Sequence, residues 1–127
     1  MNRKISLIAP AAAVLLATAS ALPAAGPAPN GALLFQQRCA ACHTVTPGGR
    51  AVLAPNLAGL LNRKAASTTF NYSPALKASN LTWTRPNLDR FLAGPGQMVP
   101  GTRMVISVSD PAQRAAILNF IVTRPAH

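Results

Sequence analysis

Negative charge is almost missing from this chain of 127 residues. Asp89 and Asp110 are the only acidic residues, against twelve Lys and Arg, and the formal net charge is +10. A field of that sign attracts acidic surfaces and speeds encounter with them. Nucleic acid would be drawn to it as well. The basic residues are scattered from Arg38 to Arg124, however, with no dense run and no interleaved aromatics, so nucleic acid is set aside as a partner. Cysteine is equally scarce, with Cys39 and Cys42 alone. Zinc wants four ligands, and beyond those two and His43 only His127 remains as a His or Cys. No internal repeat and no convincing strand alternation is present. That removes the βαβ setting in which a C-x-x-C pair reads as thioredoxin-like. After the first 21 residues, no apolar run approaches the roughly 20 residues that span a bilayer.

What is present begins with a three-part leader. Asn2-Arg3-Lys4 is a positive start, Ile5 to Leu16 is apolar apart from Ser6 and Pro10, and Ala19-Ser20-Ala21 fits an A-x-A cleavage pattern. This layout predicts a secretory signal peptide over residues 1–21, cut between 19 and 25. It places the protein in a bacterial periplasm, with a formal charge of +8 once Arg3 and Lys4 leave. The Ala/Pro/Gly-rich stretch 22–29 reads as a flexible mature N-terminus, and residues 30–127 as one domain. A mature chain of about 105 residues supports only a modest core, so a ligand bound to the folded state alone would help to hold it.

Helix signals are short and well punctuated. Asn30 can cap a helix from Gly31 to about Arg38, with Gly31 and Phe35 on one face. Ser73-Pro74 starts another short helix. Thr84 caps a third, running to about Ala93, whose Leu88, Phe91 and Leu92 share a face and which Gly94-Pro95 stops. Asp110, Pro111 and Gln113 form the strongest start, a capping box. That helix carries Ile117, Leu118 and Ile121 inward and ends by Pro125. Residues 44–72 read as loop with short turns, and 97–108 as extended or looping. The prediction is an all-α fold of three to five short helices with long loops, and so much irregular chain calls for an organising centre.

Cys39-Ala40-Ala41-Cys42-His43 supplies one. C-x-x-C-H reads as c-type haem attachment. Two thiols add across the two haem vinyl groups, two intervening residues set the reach between them, and the adjoining histidine is held beneath the iron. A six-coordinate haem needs a second strong ligand, and Met98, Met104 and His127 are the candidates. Methionine is ordinarily core filler, but both of these stand in a Pro/Gly-punctuated loop. His127 is the chain terminus, where fraying is common.

At this point the residues resemble the class I cytochromes c, close to the mitochondrial cytochrome c and bacterial cytochrome c2 group. The likeness runs from Gly31-x-x-x-Phe35 through the haem motif and Pro55-Asn56-Leu57-Ala58-Gly59-Leu60. It continues with Tyr72 and Trp83 and with Pro100-Gly101-Thr102-Arg103-Met104. It implies a small cytochrome c fold wrapped around one covalent haem c, bonded to Cys39 and Cys42, with His43 and Met104 as axial ligands. Pro55 would offer its carbonyl to the free ring N–H of His43, fixing the ring and raising its basicity. Arg63, Tyr72, Trp83 and Thr102 would lie near the haem propionates, whose burial needs hydrogen bonds or counter-charge. Gly31 and Phe35 would pack the first helix on the last, near Ile117 and Phe120.

The resemblance also has departures. Phe91 stands where relatives often carry a Tyr, Leu76 where many carry Asn, and Asn62 and Ala54 where Gly is usual. Most of the lysines that ring the haem edge in relatives are missing, leaving Lys64 and Arg103 as the expected docking residues. The implied function is single-electron transfer by a monomer, not enzymatic turnover, between redox partner proteins with acidic docking surfaces and with weak association to anionic membranes. The alternatives are a cytochrome subunit of a periplasmic dehydrogenase complex or a haem-based gas or redox sensor.

Overall fold

Local capping chemistry sets where most of the helices begin. The computed structural model describes residues 21–23, 25–51 and 53–126; most of the expected leader and His127 lie outside the described residues. Five helices follow in order: α1 (Gly31–Arg38), α2 (Pro74–Ala78), α3 (Arg85–Ala93), α4 (Pro95–Met98) and α5 (Pro111–Val122). Asn30 Oδ1 accepts from Leu33 N at 3.1 Å, Ser73 Oγ from Leu76 N at 3.2 Å, Thr84 Oγ1 from Asn87 N at 3.4 Å and Asp110 Oδ1 from Gln113 N at 2.9 Å. Each such cap is worth about 1 kcal/mol, and four of the five helices start on one. Among the described residues there is no strand, only an isolated antiparallel bridge between Lys64 and Thr82.

One segment differs from expectation. Gly94 does end α3, but Pro95 opens a further single turn, α4, where loop was expected at Gln97 and Met98. Proline at the first helical position loses no hydrogen bond there. The Gly94 carbonyl accepts from Gln97 N at 3.1 Å and Met98 N at 3.0 Å, which closes the turn. α5 stops at Val122, ahead of Pro125. The residue before a proline is pushed out of the α region, and the Phe120 carbonyl is taken by Thr123 Oγ1 at 2.9 Å and Arg124 Nε at 3.3 Å.

α1 and α5 form the main helix pair. Phe35 and Phe120 pack with ring centroids 5.3 Å apart and their planes tilted by 44°. Gly31 lies so close to α5 that a Cβ there would overlap the Ala116 carbonyl oxygen. Ile117, Leu118 and Ile121 are buried on the inner face of α5, alongside Leu88, Phe91 and Leu92 of α3. These two faces enclose the space that the long loops line. Asn62, one of the departures noted above, has φ 62°, a left-handed conformation that asparagine accepts more readily than most residues.

Gly31→Ala should therefore destabilise the protein by about 1–3 kcal/mol, the usual cost of overpacking. Guanidinium denaturation checks this, and an unchanged midpoint would contradict the close approach.

Candidate functional site

The haem motif is wound tightly against the end of α1. The Phe35 carbonyl accepts from Cys39 N at 2.8 Å and Ala40 N at 3.0 Å, and the Cys39 carbonyl accepts from Cys42 N at 3.1 Å and His43 N at 2.9 Å. This turn brings Cys39, Cys42 and His43 into the wall of one cleft, and both thiols are free. Burial pushes the half-buried Cys39 thiol up, against the lowering effect of Arg38 beside it.

His43 is fixed from below. Its Nδ1–H donates to the Pro55 carbonyl at 2.8 Å. A carbonyl can only accept, so Nδ1 carries the proton and the lone pair of Nε2 is left free. Burial pushes the imidazole below its ordinary value, with the Pro55 bond acting in the other direction. The neutral ring that results is the form that binds a metal.

The loop holding Pro55 is itself braced. Asn56 Nδ2 donates to the carbonyls of Thr46 at 2.8 Å and Gly49 at 2.9 Å, and its Oδ1 accepts from Ala58 N at 2.9 Å. Leu57 N reaches the Thr44 carbonyl at 2.8 Å, and Gly59 N the Arg124 carbonyl beyond α5 at 2.9 Å. Arg63 adds Nη1 to the Ala58 carbonyl and Nη2 to the Asn56 carbonyl, both at 2.9 Å. The bracing role of Asn56 was missed in the sequence; its signal was an Asn after Pro in a turn.

The cleft encloses a cavity of about 320 Å³. Pro55, Arg63, Tyr72, Trp83, Thr102 and Met104 all line it, as does Arg103 at its margin. Tyr72 is buried, its hydroxyl 2.6 Å from Thr68 Oγ1. Trp83 is buried against Phe91, with ring centroids 5.0 Å apart. Met104 N donates to Thr102 Oγ1 at 3.4 Å, and Arg103 Nη1 to the Asn71 carbonyl at 2.8 Å. Two expected or considered residues stand elsewhere. Lys64 is exposed on the bridge to Thr82 and Met98 is half-buried in α4, and neither lines the cavity. The aliphatic wall from Leu53, Leu57, Leu60, Val105, Ile106 and Val108 was not singled out beforehand. Those residues are apolar but follow no single period.

This arrangement suits an apolar prosthetic group that brings most of its own metal ligands. Among the described residues, no three His, Cys, Asp or Glu side chains converge to hold a bare ion. The cavity wall instead offers a neutral imidazole, a thioether, two free thiols and three arginines, with no carboxylate among its lining. Five short helices and long loops around such a cavity define a small all-α fold of the cytochrome c type.

Comparison with known proteins agrees. The Cytochrome c family model matches residues 28–125. The chain is 43% identical over 101 residues to cytochrome c of Theileria annulata, covering 79% of this chain and 87% of that one. It is 40% identical over 119 residues to cytochrome c2 of Rhodomicrobium vannielii, covering 92% and 94% respectively. Among solved structures, cytochrome cH from Methylobacterium extorquens superposes with a TM-score of 0.68 at 36% identity, covering 78% of this chain and all of that one. The chain belongs to the cytochrome c family. It is accordingly an electron-transfer protein and not an enzyme, carrying one covalent c-type haem and exchanging electrons with redox partners.

Arg63→Gln should loosen the loop that carries Pro55. Losing hydrogen bonds from a charged donor costs about 2 kcal/mol, read as a lower denaturation midpoint with faster amide exchange at Leu57 and Gly59. Unchanged exchange at both amides would show that Arg63 does not brace the loop.

Proposed function

We propose that the protein is a periplasmic single-electron carrier whose haem is bonded to Cys39 and Cys42 and ligated by His43 and Met104. The observation that carries this reading is the bond from His43 Nδ1–H to the Pro55 carbonyl at 2.8 Å, with Met104 lining the same cavity. The bound haem supplies an iron that alternates between ferrous and ferric states.

The chain's own residues set the conditions for that exchange. His43 is held in one tautomer and one orientation, which raises its basicity as a ligand. The Met104 thioether favours the reduced state and raises the potential. Phe91 and Leu76, both buried, line the cavity without a hydroxyl or amide. They keep water away and remove two polar groups that many relatives place there. Arg63, Tyr72, Trp83 and Thr102 provide charge and hydrogen-bond donors for the propionates.

The leader over residues 1–21 supports export to the periplasm, and residues 30–127 form the haem domain. No described helix is long and apolar enough to cross a membrane. With a formal charge of +8 after the leader, a monomer would dock acidic redox proteins, with Arg103 at the cavity margin and Lys64 further out. Weak attraction to anionic membranes follows from the same charge; nucleic acid is not a partner.

The ferric protein should show the weak long-wavelength absorption band of methionine–iron ligation. Met104→Ala should abolish it, lower the midpoint potential and let the reduced protein bind carbon monoxide rapidly, while haem stays covalently attached in the intact mass. A band missing from the parent, or surviving in the variant, overturns the Met104 assignment. Carbon monoxide binding that is already rapid in the parent would favour a gas sensor.

Electron transfer to an acidic partner protein should slow as salt rises, because rim charges act on encounter. A rate independent of ionic strength would remove the charged docking surface.

A further inference from the structure

The segment Met104–Asp110 crosses from the cavity to the start of α5 with little support along its length. Val105 is 85% exposed and Ile106 49% exposed. Its upstream end is held by Arg103, which donates to the Asn71 carbonyl at 2.8 Å, and by Thr102 N on the Val99 carbonyl at 3.0 Å. Its downstream end is held by Val108, 1% exposed, whose N–H donates to the Leu92 carbonyl of α3 at 2.8 Å. Met104 thus sits on a strap that is free in the middle and fixed at both ends.

Arg114 supplies the rest of the downstream anchor. Its Nη1 donates to the Val108 carbonyl at 3.0 Å and to the Ser109 carbonyl at 2.8 Å. Its Nε donates to Asp89 Oδ1 of α3 at 2.8 Å, and Nη2 lies 3.5 Å from Asp89 Oδ2. One guanidinium therefore ties the strap, α3 and α5 together. Its side chain is only 13% exposed, and this is the one salt bridge among the described residues.

The placement runs against the simplest electrostatics. Arg114 is the fourth residue of α5, near the positive end of the helix dipole, where a cation is disfavoured. A largely buried cation also loses hydration and needs compensating partners. Here those partners are a carboxylate and two carbonyls from the strap. The chain has two acidic residues in all. One, Asp110, caps α5 at the strap's end; the other, Asp89, neutralises Arg114.

We propose that the Asp89–Arg114 pair is a positioning clamp for Met104, holding the downstream end of its strap so that the thioether stays at the iron. This rests on Met104 being the axial ligand. Neither residue touches the metal; both act through Val108 and Ser109. A loosened strap lets Met104 leave more often, which exposes the iron to small external ligands.

The test uses the full haem-loaded protein and cyanide as the probe of the ferric iron. Asp89→Asn and Arg114→Gln should each raise the cyanide on-rate by on the order of tenfold: the first leaves the largely buried Arg114 guanidinium without its carboxylate, and the second removes the bonds to the Val108 and Ser109 carbonyls. The long-wavelength band should weaken in both, with a lower midpoint potential. Arg114→Lys keeps the charge but not the planar fork, and should fall between Arg114→Gln and the parent. Phe120→Leu, at the α1–α5 contact and outside the cavity wall, is the control for general loosening; it should lower thermal stability without changing the cyanide rate. A parent-like cyanide rate and band in both clamp variants overturns the clamp. So does a Phe120→Leu rate as high as theirs at matched stability. A parent that lacks the band overturns the Met104 assignment instead, which keeps the two failures apart.

Discussion

The hydrogen bond from His43 to the Pro55 carbonyl joins the parts on which the site depends. His43 follows directly on α1, and Pro55 belongs to a loop that reaches the end of α5 through Gly59 and Arg124. The bond decides which ring nitrogen is free, and so what the imidazole can do. It also makes the aim of the ring depend on the loop's rigidity. That rigidity comes from Asn56 and Arg63, which satisfy four backbone carbonyls between them. An irregular segment of this kind needs side-chain bonds because it lacks a helix or sheet ladder to pair its backbone.

Charge is distributed with similar economy. Twelve basic residues and two acidic ones leave most cations without a carboxylate partner, and the fold answers with backbone carbonyls. Arg63, Arg103 and Arg114 all donate to main-chain oxygens of loops that bound the cavity. Arginine suits this role because its fork presents several donors in fixed directions. The positive charge that favours encounter with acidic partners thus also stiffens the walls. Of the two carboxylates, Asp89 balances the largely buried Arg114 guanidinium where the Met104 strap meets α3 and α5, and Asp110 caps α5 at the end of that strap.

The interior is arranged around the cofactor rather than filled by side chains alone. Leu88 and Leu92 from α3, and Leu118 and Ile121 from α5, face the cavity as well as each other. Phe91 and Leu76 continue that apolar surface. A wall with fewer dipoles near the iron has less to reorganise when charge changes, which suits a carrier that must exchange electrons without rearranging. Burial and hydrogen bonding also set where its potential falls.

The sequence alone determined what is encoded locally. Asn30, Ser73, Thr84 and Asp110 marked four helix starts, because a cap acts within three residues of itself. Cys39-Ala40-Ala41-Cys42-His43 announced the haem, because attachment chemistry needs those groups at that spacing. The Pro55 and Met104 assignments came from resemblance to a family, not from spacing. Tertiary structure decided the rest. The single turn of α4 depends on Gly94 closing it, and Met98 goes to that turn while Met104 goes to the cavity. The contact of Gly31 with Ala116, the distance of Lys64 from the cavity and the bonds of Arg114 to Asp89 are also invisible in sequence. The Arg114–Asp89 pair joins residues 25 positions apart. Nothing periodic or local marks such a pairing; it exists because packing α3 on α5 brings a largely buried cation, a partly exposed carboxylate and the end of the Met104 strap together.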